Sequence, residues 1–280
     1  MSLEFGPKGG KVWQEVAEGV YRRRYESLDL NVGVVIGGEG VLVIDTRASH
    51  RQAQQLLDEL RILTDLPPRW VLNTHYHWDH CWGNALFPAA QIWGHERCRA
   101  ALMTDGEEAR RRVIDSLPPE HHGDVEEVLI TPPDHTFGIR HAIDLGGRVV
   151  EFKHLGLGHT DSDVVVQVAD SGVLFAGDLI EEGAPPAFLD SYPLDWPETL
   201  DNLLEMVRDV VVPGHGDVVT RAFIETQRAE IAAVAATCRA EYVNGIPVDK
   251  VDVRTSPYPE AVMREALERA YLQLDEAVPG

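Results

Sequence analysis

Residues 75–80 read His-Tyr-His-Trp-Asp-His, three imidazoles and one carboxylate within six positions. They follow Arg69-Trp70-Val71-Leu72, a short apolar run of strand type, and precede residues 81–86, which can start a helix. In extended chain, side chains two apart share a face, so His75 and His77 point the same way. Asp79 and His80 then fall on the following turn and face a second position close by. Neutral imidazole nitrogens with a carboxylate oxygen suit zinc, and also iron or manganese. So dense a ligand cluster behind a buried strand costs desolvation free energy unless something binds it. The chain is therefore constrained to end a strand near Asn73 and to open the next side chains onto a metal.

Around this motif the hydrophobic pattern alternates between strand and helix types. Residues 12–16 and 20–25 are expected as edge strands about a Glu18-Gly19 turn, and 31–36 with 41–44 as a hairpin across Gly37-Gly38-Glu39-Gly40. Ser49 can cap a helix running to about Thr64, which Pro67-Pro68 ends. Residues 69–73 and 90–93 are expected as strands, 96–103 and 107–116 as helices, and 117–141, with its prolines, as irregular. In the second half, 142–145 and 149–154 form a hairpin, and 156–163 a Gly-rich turn. Strands are expected at 164–168 and 173–176, with Asp178 just beyond the second, and a long loop follows over 181–196. Pro197 opens a helix to Val207, 210–212 is a buried strand, and 221–244 and 259–276 are helical.

Each half thus runs hairpin, helix, then a strand with polar residues at its end. That pattern predicts an α/β (α+β) fold, a four-layer αββα sandwich of two mixed β-sheets with helices outside. No linker or low-complexity tract interrupts it. A single domain is expected over residues 1–280, with a core at about 12–220 and a C-terminal helical extension at about 221–280.

Charge narrows the partners. With 46 acidic and 25 basic residues the net charge is −21, which repels phosphate backbones and leaves no basic patch for anionic lipid. No run approaches the roughly 20 apolar residues of a membrane span. A small-molecule partner is expected, with neither nucleic acid nor membrane. Cys81, Cys98 and Cys238 are scattered and form no CxxC, which suits a reducing compartment. Residues 1–11 lack the apolar segment of a signal peptide, so a cytoplasmic location is expected.

Three further residues share the setting of the motif. His159 lies in the Gly-rich turn, Asp178 follows Gly177 after an apolar strand, and His215 stands between Gly214 and Gly216. Small neighbours let the backbone approach a metal closely. In chain order His75, His77, Asp79, His80, His159, Asp178 and His215 resemble the ligand set of the metallo-β-lactamase-fold superfamily, over about residues 12–220. The resemblance implies that fold with the site at one edge. It implies one metal on His75, His77 and His159, a second on Asp79, His80 and His215, and Asp178 as the bridge. Two Zn(2+) per chain follow from it, with Fe as the alternative.

Aspartate at 178, where class B1 and B2 β-lactamases carry cysteine, makes the set similar to that of glyoxalase II. The function implied is a dinuclear zinc-dependent hydrolase of a small ester, thioester, lactone or amide. Metal-bound hydroxide would be its nucleophile, with Asp79 the catalytic carboxylate that ligates and orients it. A mononuclear iron oxidoreductase of the persulfide dioxygenase type shares the fold and motif, and a non-catalytic binding protein is a third reading. The motif does not choose the bond cleaved.

Trp78, Trp82, Phe188, Tyr192 and Trp196 are candidates for an apolar substrate pocket, or else pack the 181–196 loop down. Asp45, at a strand end, is placed to hydrogen-bond a ligand histidine. Asp161 and Asp163 are expected to cap a turn, and Cys81 to pack in the core. His50, His95, His135, His141 and His154 read as surface or supporting residues, and His121-His122 as solvated.

Overall fold

The computed structural model describes residues 13–277. Val12 of the expected first strand and the polar segment 1–11 lie outside the described residues. The first half contains β1 (Gln14–Ala17), β2 (Val20–Tyr25), β3 (Leu30–Ile36), β4 (Val41–Ile44), α1 (His50–Leu63), β5 (Pro68–Leu72) and α2 (Trp78–Cys81). It continues through β6 (Gln91–His95), α3 (Glu96–Thr104), α4 (Gly106–Ser116), α5 (His122–Glu126) and β7 (His135–Phe137). The second half contains β8 (Arg140–Asp144), β9 (Val149–Lys153), β10 (Val165–Val168), β11 (Val173–Glu181), α6 (Trp196–Met206) and β12 (Val211–His215). Two long helices follow, α7 (Arg221–Val243) and α8 (Glu260–Ala277).

Strand alternation builds the layers. Val41 and Val43 of β4 pack outward with Ala53, Leu56 and Leu60 of α1, whose first turn Ser49 caps through the Gln52 amide. Leu42 and Ile44 point the other way and meet Phe152, Val166, Phe175 and Val212 of the second half. In β10 and β11, Val165, Leu174 and Ala176 turn to the opposite outer face, against α6, α7 and α8. Helices, sheet, sheet and helices thus stack in four layers, as expected.

The two sheets are hydrogen-bonded into one 12-stranded system, ordered β7-β6-β5-β4-β3-β12-β11-β10-β9-β8, with β2 branching from β3 and β1 pairing with β2. A single pair, Leu30 with His215, joins β3 to β12. One ligand candidate therefore sits on the seam between the halves.

Four local expectations change. The segment 117–141 is not wholly irregular: it holds α5 and β7, which pairs with β6 at His95 and Phe137. The helix after the motif starts at Trp78, so Asp79 and His80 lie on its first turn. His215 is the last residue of β12. Strand β11 runs nine residues to Glu181, so Asp178 lies inside it. Gly177, at φ +54°, breaks the register with β12 there, and a Cβ on it would lie 2.9 Å from that of Thr74. Among the described residues no helix is long and apolar enough to cross a membrane.

Candidate metal centre

The histidine motif leaves the end of β5 through Asn73, whose side-chain amide exchanges two hydrogen bonds with that of Asn84, at 2.7 and 3.0 Å. This fixes the strand exit. His75 follows in a bend over residues 74–76 rather than in extended chain, His77 precedes α2, and α2 lifts Asp79 and His80 beside them. The turn between β9 and β10 brings His159, β11 brings Asp178, and the end of β12 brings His215. The side chains gather into two groups, His75, His77, His159 and Asp178, and Asp79, His80 and His215. Within each group the ligand atoms lie within 4.8 Å of one another. Asp178 reaches both. Its Oδ2 lies 3.7 Å from His75 Nε2 and 3.5 Å from His159 Nε2, and also 3.2 Å from His215 Nε2, while Oδ1 is 3.3 Å from His80 Nε2.

All five imidazoles turn one nitrogen toward this centre, and in four of them the outer nitrogen is hydrogen-bonded to another group. His75 Nδ1 donates to Thr74 Oγ1 at 3.0 Å, and His80 Nδ1 to Asp45 Oδ2 at 2.8 Å. His215 Nδ1 donates to the Leu28 carbonyl at 2.7 Å. His77 Nε2 meets both oxygens of Asp190 at 3.0 and 3.1 Å, and its Nδ1 faces inward, 2.8 Å from His159 Nε2. His159 is the exception: its Nδ1 is buried without a hydrogen bond, with Glu181 Oε1 3.7 Å away. Outer partners of this kind fix which nitrogen keeps a lone pair for a metal. Two come from strained backbone, since Leu28 and Asp45 have φ of 64° and 67°. Inside the cage His75 Nε2 and Asp178 Oδ1 are buried without a hydrogen-bond partner. Orphaned buried atoms of this kind, in a set of imidazoles and carboxylates, fit a divalent cation.

Electrostatics agree with the donor set. Burial holds His75 well below the ordinary imidazole pKa, and His159 down at about 4. For His80 and His215 burial acts in the same direction, but Asp178 and Asp79 outweigh it, pushing His80 well up and His215 to about 10. Burial, then Asp178, raise Glu181 to about 8. Protons on His80 and His215 thus offset the carboxylates, and a cation entering the cage displaces them.

A cavity of about 870 Å³ opens over the centre. Asp79, His159, Asp178 and His215 lie in its floor, and α3 and α4 roof it with Ala101, Leu102, Ala109 and Val113. Of the five aromatic candidates, Trp78, Trp82 and Tyr192 line it. Phe188 and Trp196 do not. Both are fully buried in the core beneath α6–α8, with ring centroids 5.5 Å apart, because they anchor the loop after β11. Trp196 still packs edge-on to His159 at 5.8 Å.

Other residues fall where their chemistry suggests. Asp45 also accepts from the Thr74 amide and hydroxyl, both at 2.8 Å. Asp163 caps its turn through the Thr160 amide and hydroxyl, whereas Asp161 lines the cavity. Cys81 is buried, and its thiol donates to the Tyr76 and His77 carbonyls. Two site residues carry no sequence signal. Asp190 lies in a loop without motif spacing, and Glu181 at the end of an apolar strand. Only the fold places them against His77 and His159.

A fold of this kind with two adjoining imidazole–carboxylate sets is the site of a metal-dependent hydrolase. The chain belongs to the metallo-beta-lactamase superfamily, whose family model matches residues 28–215. It is 26% identical over 220 residues to a linear primary-alkylsulfatase of a Pseudomonas strain, covering 65% of this chain but only 40% of that protein. It is also 26% identical over 218 residues to the human acyl-coenzyme A thioesterase MBLAC2, covering 70% of this chain and 76% of the relative. Among solved structures, the sec-alkylsulfatase Pisa1 from Pseudomonas superposes with a TM-score of 0.76 at 16% identity. That match covers 94% of this chain and 50% of Pisa1, and speaks for the fold alone.

Proposed function

We propose that the protein is a dinuclear zinc hydrolase of an uncharged ester, thioester, lactone or amide with an apolar acyl portion. One zinc is held by His75, His77 and His159, and the other by Asp79, His80 and His215, with Asp178 shared. The observation that carries this reading is the inward turn of one nitrogen on all five imidazoles, around the buried Asp178. Divalent cations held there supply a water-derived nucleophile at neutral pH and polarise the scissile bond. Asp79 orients the nucleophile from the first turn of α2. Trp78 and the roof of Ala101, Leu102, Ala109 and Val113 exclude water and hold the acyl chain.

The similarity to an alkylsulfatase raises a sulfate ester as a second reading. Charge favours the neutral substrate. Asp105, Asp161 and Asp190 line the cavity, and Arg112 is the only lysine or arginine among the described residues that do. An anionic head group would meet that acidic wall at short range. The test is metal analysis of full-length protein purified without added metal, followed by turnover of acyl esters, thioesters, lactones and alkyl sulfates. Two zinc ions per chain with turnover of neutral acyl substrates supports the reading. Alkyl sulfates as the sole substrates would replace the substrate class, and one iron per chain with oxygen uptake would overturn the hydrolase.

A further inference from the structure

The partner of His77 is held in place by a part of the chain outside the matched family region. Asp190 sits on the loop between β11 and α6, and both its oxygens face His77 Nε2. Tyr76 Oη donates to Asp190 Oδ2 at 2.9 Å and fixes the carboxylate from the other side. The loop is pinned at several points. Phe188 is buried between Trp196 and Tyr258, Ser191 Oγ donates to the Phe188 carbonyl at 3.1 Å, and the Tyr192 amide donates to the Gly158 carbonyl at 2.8 Å. Further ties come from α7, where Arg239 Nη2 donates to the Leu194 carbonyl at 3.4 Å, and from α8. Arg269 Nε donates to the Ser191 carbonyl at 3.0 Å and Nη2 to the Asp190 carbonyl at 3.5 Å. Gln273 accepts from the Leu194 amide at 3.2 Å and donates to Asp195 Oδ2 at 2.7 Å.

We infer that α8 positions a metal ligand: Arg269 and Gln273 fix the turn that presents Asp190 to His77, and so set metal affinity at the His75/His77/His159 group. The inference rests on the metal-binding reading above. Asp190 accepting the Nε2 proton leaves the Nδ1 lone pair of His77 directed into the cage. A turn released from Arg269 presents that carboxylate in many orientations, and the tautomer is no longer held. Asp190 and Arg269 are positioning residues: neither needs to touch substrate. The C-terminal helices, beyond residue 215 where the family match ends, thereby become part of the site's support.

The experiment is zinc titration of chelator-stripped, full-length protein in competition with a chromophoric chelator. It compares wild type, Asp190→Asn, Asp190→Ala, Arg269→Ala and the Asp190→Ala/Arg269→Ala double variant. Wild type is expected to take up two zinc ions. Asp190→Ala should weaken one of them by about 10–100-fold and leave the other unchanged. Arg269→Ala should weaken the same zinc by a smaller factor, and the double variant should bind no more weakly than Asp190→Ala alone, because Arg269 acts through Asp190. Asp190→Asn keeps the side-chain shape but lacks the charge, and it reports the same loss if the alanine variant misfolds. Wild-type binding of both zinc ions by both Asp190 variants would overturn the inference while leaving the proposed function intact. A full extra loss from Arg269→Ala on the Asp190→Ala background would show that α8 acts by another route, and overturns it too. A wild-type protein that takes up no metal would sink the proposed function, and this inference with it.

Discussion

The inner and outer sides of the cage are held in different ways. On the inner side Asp45, with its side chain 3% exposed, supports two histidines at once: His80 directly, and His75 through the Thr74 hydroxyl. His215 leans on the Leu28 carbonyl in a strained turn. On the outer side Asp190 is 43% exposed and rides on a loop at the cavity mouth. The inner ligands are therefore set by the same buried network that completes the fold, while the outer ones depend on a loop that must be tied down separately. Orientation of the inner histidines comes with folding itself. Orientation of His77, which Asp190 holds, is the adjustable quantity.

Removing what both sides share should have the largest effect. Asp178→Asn keeps the volume but withdraws the charge that faces four imidazoles, so turnover should drop by at least about 10³-fold, the equivalent of several kcal/mol of lost charge stabilisation. Retention of both metals and of turnover would show that Asp178 is not the common ligand. Next comes the inner support alone. Asp45→Asn is tolerated by the backbone, since asparagine adopts positive φ readily. Its amide, however, donates to His80 Nδ1 where the carboxylate accepts. His80 is then forced into the tautomer with its proton on Nε2, facing the cage. The expected loss is about 10–100-fold in affinity for the zinc on Asp79, His80 and His215, with about 1–3 kcal/mol of stability. Zinc titration and chemical denaturation would measure both, and an unchanged affinity would remove Asp45 from the inner support.

This division also explains what the sequence discloses. Residues 73–80 carry four candidate ligands in one stretch, because a strand end and one helical turn suffice to present them. His159, Asp178 and His215 are legible as a set only beside that stretch, since each alone looks like an ordinary residue near glycine. Asp45 is legible from its place at a strand end. Asp190 is not, because its role depends on where α8 ties a loop more than a hundred residues downstream of the motif. The layers follow from alternation in β4 and β10, but the short strand β7 does not. Three residues between prolines and glycine carry too little pattern, and pairing with β6 creates the strand. Phe188 and Trp196 show the same limit, as an aromatic in a loop reads alike whether it lines a cavity or anchors the loop.

The roof above the cage gives a smaller, more selective effect. Ala109→Trp fills the space between α4 and Trp78 without touching a candidate ligand. The kcat/KM for long-chain acyl substrates should fall by about tenfold or more, with short-chain esters and zinc content little changed. An equal loss for every chain length would place the acyl group elsewhere in the cavity.

The smallest effect separates the roof from both sides of the cage. His95 ends β6 and caps α3: its Nδ1 accepts from the Arg97 amide at 3.2 Å and its Nε2–H donates to the Gly138 carbonyl at 2.7 Å. Burial, and then His154, lower its pKa to about 4. Between that value and the ordinary value of about 6.5, the unfolded chain takes up a proton that the folded chain refuses. The contribution of neutral His95 to stability is therefore complete above about pH 6.5 and is lost as the pH falls toward about 4. His95→Gln cannot be protonated, so the fall in Tm between about pH 7 and pH 5 should be shallower than in wild type by a few degrees at most. Zinc affinity at neutral pH should not move, because His95 touches no cage residue. Parallel Tm–pH curves for the two proteins would mean that His95 carries no part of the acid sensitivity. A change in zinc affinity would show instead that roof and cage are mechanically one unit.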